Sequence, residues 1–233
     1  MSTLSVNSLQ TADGISPVLV SDIAKKSDLS ASGGSALVGY LPAGTGAVAT
    51  NVEKELQQLL KLVNFLPDGY VTDGSVDYTT EINAAIAAAV AGNKALYINP
   101  GEWRHTAALT VTARVVIFGA GKGVSKFLSV NCDAFDIATG VSFVAIQGIT
   151  IAQATRYTST PNTYTAIRNN GTTANQNSYH TYRDIFIDGF EFGFDCNAVS
   201  SSSFINCQAA YTHKGITFSL QCLNNAVSQC TLA

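Results

Sequence analysis

The spacing of apolar positions changes once along this chain. Between residues 51 and 94 apolar residues recur at helical intervals, and from Ala95 onward they alternate with polar ones. In residues 51–67, Val52, Leu56, Leu59, Val63 and Leu66 follow a 4-3-4-3 spacing, the seam of a coiled coil. Asn51 is placed to cap a helix over 51–64, Glu53 and Glu55 suit its first turn, and Pro67 and Gly69 stop it. So short a helix is marginal alone in water. Its seam packs either on the next part of the same chain or on copies of itself, and a self-associating neck through Val52, Leu56, Leu59 and Val63 is the expectation carried forward. In residues 68–94 a turn leads to a second helix, with Asp77 or Thr79 as cap and Ile82, Ile86 and Val90 on one face. That face suits the end of a sheet or coil. Residues 1–50 are loop-like, with short apolar pieces at 15–20 and 37–41. They are expected to be ordered by a partner, either another subunit or a docking protein.

From Ala95 the strands are short, separated by Gly, Asn and Asp, and they repeat. Gly148-Ile149-Thr-Ile151, Asp184-Ile185-Phe-Ile187, Asn206-Cys207-Gln-Ala209 and Gln229-Cys230-Thr-Leu232 align as a turn residue followed by inward, outward, inward. The steps are 36, 22 and 23 residues (149 to 185, 185 to 207, 207 to 230). A step of 22 or 23 suits one turn of a parallel β-helix, and the longer one holds a Thr- and Asn-rich insertion, 153–179, expected to protrude as a loop. In this register Cys207 and Cys230 sit one above the other as small apolar residues. Stacked coils leave open edges only at their two ends. The Ile82/Ile86/Val90 helix is expected to cover the first, and the uncapped last repeat carries the expectation that these residues are the front part of a longer protein. The expected organisation is 1–50 as an extended anchor, 51–67 as a helical neck, 68–94 as turn and capping helix, and 95–233 as the first coils of a right-handed parallel β-helix.

Composition narrows the function. Charged residues are 12% of the 233, with 13 basic against 16 acidic, so nothing favours binding to nucleic-acid phosphates. No apolar run reaches the roughly 18 residues of a membrane span. Met1–Asn7 has neither a basic region nor an apolar segment, so no secretory signal is read there and a cytoplasm-made chain is expected. The five cysteines form no Cys-x-x-Cys pair and are expected as reduced thiols. His105, His180 and His213 lack metal-ligand spacing, and neither metal nor cofactor is expected. Gly119-Ala-Gly-Lys-Gly123 departs from a nucleotide-binding loop and is followed by a strand, so it reads as a solenoid corner.

Four segments in succession carry a resemblance. Residues 35–48, Ser35-Ala-Leu-Val-Gly-Tyr-Leu-Pro-Ala-Gly-Thr-Gly-Ala-Val48, followed by a short helix, resemble the segment before the β-helix in bacteriophage tailspike proteins. Asp77-Tyr-Thr-Thr-Glu-Ile-Asn-Ala-Ala-Ile86 resembles that family's capping helix. Tyr97-Ile-Asn-Pro-Gly-Glu-Trp103 and Ile117-Phe-Gly-Ala-Gly-Lys-Gly123 resemble the first coils of its pectate-lyase-like solenoid. The resemblance implies a homotrimeric virion component, assembled in the host cytoplasm. Residues 1–50 would attach it to the phage tail, a baseplate or an adaptor protein. Its β-helix would recognise bacterial capsular polysaccharide or lipopolysaccharide and often cleave it, by hydrolysis or elimination. The alternatives are a purely adhesive tail fibre and a cellular pectate-lyase-like enzyme.

Hydrolysis of a glycosidic bond takes two carboxylates about 5–10 Å apart. The densest acidic stretch is Asp184, Asp188, Glu191 and Asp195. Asp184, Asp188 and Glu191 are the candidate catalytic acids, and Tyr179 and Tyr182, flanking His180, are the candidate sugar-stacking residues. In Phe190-Glu-Phe-Gly-Phe194 the rings are expected on the core side and Glu191 in solvent. This portion is expected to be inactive alone, with the active site in later coils or between subunits, as the resemblance implies.

Overall fold

The computed structural model describes residues 70–155 and 162–232 and, before them, five short strands at Ser8–Gln10, Pro17–Leu19, Gly39–Tyr40, Thr50–Asn51 and Leu62–Phe65. The chain divides into two compact units, Met1–Leu60 and Lys61–Ala233. In the first, Ser8–Gln10 pairs antiparallel with Pro17–Leu19, and Gly39–Tyr40 with Thr50–Asn51. Two of these strands fall inside the apolar pieces of the loop-like segment.

The second unit is a parallel β-solenoid of about six turns. Each rung crosses three faces. The first holds Leu62–Phe65, Ala95–Ile98, Val115–Gly119, the front of Val144–Gln153, the front of Thr181–Asp188, Ser203–Ile205 and Ala226–Ser228. The second runs from Asp73–Asp77 through Gly101–His105 and Ser125–Ser129 to the rear halves of the two long strands, then Gln208–Ala210 and Thr231–Leu232. The third stacks Leu109–Val111, Phe135–Ile137, Thr165–Asn170, Phe192–Asn197 and Lys214–Ser219.

Register turns the period-two pattern into columns. Leu96, Ile117, Ile146, Tyr182 and Phe204 lie one above another on the first face. Trp103, Phe127, Ile151, Ile187 and Ala209 do so on the second, and Leu109, Phe135, Ile167, Phe194 and Ile216 on the third. All but Ile216 are buried. Burial of such side chains stabilises by roughly 1.5–3 kcal/mol each. The corners form columns too. Gly148, Asp184, Asn206 and Gln229, the turn residues of the repeat, all take positive φ. Another corner repeats the same steps with Phe143, Tyr179, Ser201 and Asn224.

The helix Thr79–Gly92 covers the first end. Ile82 and Ile86 are buried on the core and Val90 packs against it. The Asp77 carboxylate accepts the Thr79 backbone N–H at 3.0 Å, serving the first turn. The Asn83 side chain accepts the Thr110 N–H at 2.9 Å, occupying a donor that the first strand of the third face would leave open. Among the described residues no helix is long and apolar enough to cross a membrane.

Three expectations are corrected. The neck helix does not extend over 51–64: Asn51 belongs to a strand, and Leu62–Phe65 pairs with Ala95–Ile98 as the first strand of the solenoid. Val63 therefore packs on its own chain's core; its place in the apolar spacing also fits strand alternation, which non-local pairing selects. Val52, Leu56 and Leu59 lie outside the described residues. The 153–179 insertion is not one protruding loop, because Thr165–Asn170 and Asn177–Ser178 are strands within the stack. Phe192 faces outward beneath the Lys214 ammonium, 4.6 Å from its ring centroid. The regular alternation breaks beside it at Gly193, where a Cβ would stand 2.5 Å from the Gly215 carbonyl.

Cys207 and Cys230 interact side chain to side chain, as the repeat requires. Burial pushes the Cys207 thiol up to about 12, the behaviour of a packing residue rather than a nucleophile.

Candidate functional site

The rung that carries the candidate acids separates them. Asp184 sits at the corner between first and second faces and accepts a 2.6 Å hydrogen bond from the Asn206 side chain. Asp188 ends the same strand and is buried. Four residues of strand span about 13 Å, too far for a carboxylate pair. Glu191 lies beyond the next corner, where its backbone N–H donates to Asn162 Oδ1 at 3.0 Å and its buried Oε2 has no hydrogen-bond partner among the described residues. Glu191 is thus half-buried rather than solvent-facing.

The two tyrosines part company. Tyr182 is fully buried, and its hydroxyl donates to Asn169 Oδ1 at 2.7 Å. Its ring packs 5.3 Å from Phe194 and 5.1 Å from Phe204, so it is a core residue and not a ligand contact. Tyr179, three residues earlier, sits at the corner 55% exposed. It stacks on Phe143, itself 60% exposed, at 5.0 Å with planes 10° apart.

The acids that do converge lie on the third face. At one outward position the register stacks Thr110, Asp136, Arg168, Asp195 and Thr217. Strands are about 4.8 Å apart, which sets Asp136 and Asp195 about 10 Å apart with Arg168 between them. The Arg168 guanidinium donates to both oxygens of Asp133, one through Nη2 at 3.3 Å, and Nη2 also reaches Thr165 Oγ1 at 3.0 Å. Its Nε lies 3.9 Å from Asp195 Oδ2. Asn170 donates to Asp136. Chemically this is a strip of alternating acceptors and donors at a fixed repeat, flanked by the Phe192 ring. Such a strip suits the vicinal hydroxyls of a sugar chain. It does not suit hydrolysis, because the guanidinium fills the space between carboxylates where a glycosidic bond would have to sit. Asp195 belongs to the acidic stretch read from sequence. Asp133, Asp136 and Arg168 were hidden because the rungs before Asp195 differ in length, so no constant step aligns them.

A second surface feature lies where rungs turn back onto the first face. Asn93, Lys94, Ala95, Arg114, Val116 and Phe143 border a groove of about 290 Å³. Asn93 takes a left-handed conformation at the helix end, and its Oδ1 accepts from Arg114 Nη2 at 2.8 Å. Among the described residues no group of three His, Cys, Asp or Glu is arranged to hold a metal ion.

No family model matches this sequence, and no curated protein matches it. Solved structures do match by fold. A double mutant of the tailspike protein of E. coli bacteriophage HK620 superimposes with a TM-score of 0.64 at 13% identity, over 88% of this chain and 40% of that one. The Agl-KA catalytic domain matches with a TM-score of 0.46 at 18% identity, over 72% of this chain and 37% of that one. A protein of Geobacillus virus E2 matches with a TM-score of 0.38 at 13% identity, over 76% and 43%. The chain thus spans about two fifths of the length of the HK620 tailspike, and the likeness to it is one of fold: a tailspike-like parallel β-helix.

Proposed function

We propose that this chain is a tailspike component whose solenoid binds bacterial surface polysaccharide along its third face. The observation that carries the reading is the Asp136–Arg168–Asp195 ladder, with Asp133 and Asn170 around it, on a fold like that of a phage tailspike. Carboxylates and a guanidinium at a rung repeat recognise hydroxyls by charge-assisted hydrogen bonds, and an outward ring such as Phe192 covers the apolar face of a pyranose. Residues 1–50 attach the chain to the particle's tail, baseplate or adaptor protein, and copies associate as a trimer; the spacing of Val52, Leu56 and Leu59 supports the association. The filled space between the carboxylates favours adhesion over cleavage by this portion.

A panel of purified capsular polysaccharides and lipopolysaccharides, presented to the full chain, tests the reading. Retention of at least one polymer without release of reducing or unsaturated ends is expected. Release of fragments would replace adhesion by depolymerisation. Binding to none would remove the function.

A further inference from the structure

We infer that the groove beside Phe143 is a subsite for a sugar unit bearing a carboxylate. The inference rests on the polysaccharide reading for the kind of ligand but on different residues. Lys94 and Arg114 bring two positive charges to the groove, and among the described residues none that borders it is acidic. Among the described residues neither cation takes part in an ion pair, whereas Lys126 and Arg168 do. In a chain of net charge −3 this is a local reversal of sign. Asn93 holds Arg114 through one neutral acceptor at 2.8 Å, which uses one of five donors and leaves the rest of the fork for a carboxylate. Two of the last four carbonyls of the adjoining helix, those of Ala89 and Val90, accept the backbone N–H groups of Lys94 and Asn93.

The lining also holds an aromatic ring. Phe143 borders the groove and stacks on Tyr179. Both residues hold positive φ, 60° and 56°, a conformation bulky side chains seldom adopt, and both remain more than half exposed. Two large rings left more than half exposed at one corner mark a contact surface rather than a packing one. A ring beside a cation pair matches a pyranose, whose C–H face is apolar and whose carboxylate projects from its edge. The volume, about 290 Å³, is at the lower end of ligand sites, enough for one ring rather than a run of them.

The test titrates the full chain with a glucuronate-containing oligosaccharide and with the same oligosaccharide after its carboxyls are reduced to alcohols, reading ligand-observed NMR. The acidic form is expected to bind at least ten-fold more tightly, with the preference falling as salt rises. Lys94→Ala with Arg114→Ala abolishes the preference, Phe143→Ala weakens both forms, and Arg168→Ala leaves the preference intact. The last variant separates this site from the third face: loss of polysaccharide retention in Arg168→Ala with the acidic preference kept would implicate the two surfaces independently. Equal binding of the two forms, no binding of the acidic one, or competition by inorganic phosphate at equal strength would overturn the inference. So would a fall in oligomeric mass on Phe143→Ala, which would make the corner a contact between copies.

Discussion

Two aromatic stacks run along the same solenoid, and three residues of chain separate them. Tyr182 packs inward against the tilted rings of Phe194 and Phe204, fully buried. Tyr179 stacks on Phe143 at a corner, and both are open to solvent. Ring separations are similar, 5.0 Å in the outer pair and 5.1 and 5.3 Å in the inner ones, so spacing does not distinguish them. Position within the rung does. A residue in mid-strand points to one face by parity, whereas a residue in the left-handed corner is thrown clear of the core. The inner cluster is therefore a source of stability, and the outer stack is the one we propose for recognition.

Removing the inner ring is the severest way to probe that division. Tyr182→Ala is expected to destabilise the solenoid by about 3–5 kcal/mol, since it opens a cavity and strips Asn169 Oδ1 of its donor. Urea denaturation followed by circular dichroism reads it. A loss below about 1 kcal/mol would mean the interior is looser than described.

The residue between the two tyrosines gives the next largest effect. His180 is buried, and its Nδ1 accepts the Val144 N–H at 3.2 Å, so the neutral ring carries its proton on Nε2. Burial lowers its pKa from 6.5 to about 4. The unfolded chain takes up this proton near pH 6.5 and the folded chain only near 4. Stability is thus full above about pH 6.5, falls on acidification and levels off below 4, by about 3 kcal/mol. Burial moves His105 in the same direction. Thermal melting across pH 4–7 should show the slope, and His180→Gln should reduce it. An unchanged slope in the variant would assign it elsewhere.

At the capped end, Asn83→Ala is expected to lose about 1 kcal/mol, because the Thr110 N–H loses its acceptor. The same denaturation series measures it. Smallest of all is the outer ring. Phe143→Gly relieves a left-handed cost of about 1–2 kcal/mol and incurs about 0.5–1 kcal/mol of glycine entropy, so stability should stay within about 1 kcal/mol of the parent. A large loss would show that the corner stack is structural after all.

The stack was legible in the sequence because its corners demand special backbone. Gly148, Asp184, Asn206 and Gln229 each precede an inward Ile or Cys, and each proves left-handed. The surface was less legible. Tyr179 and Tyr182 look alike until the corner at 179 is placed. Arg168 meets Asp133 and Asp195 only through a register that unequal rungs conceal. Val63 follows helical spacing yet pairs as a strand with Leu96, thirty-odd residues away, and nothing local announces such a partner.

The central claim is that outward ladders recognise sugar while inward ones hold the fold. Its most direct test is calorimetric titration of the polysaccharide retained by the full chain against Arg168→Ala, with thermal melting of both proteins alongside. The account predicts at least a ten-fold loss of affinity with melting shifted by only a few degrees. Unchanged affinity in a folded Arg168→Ala protein would contradict it.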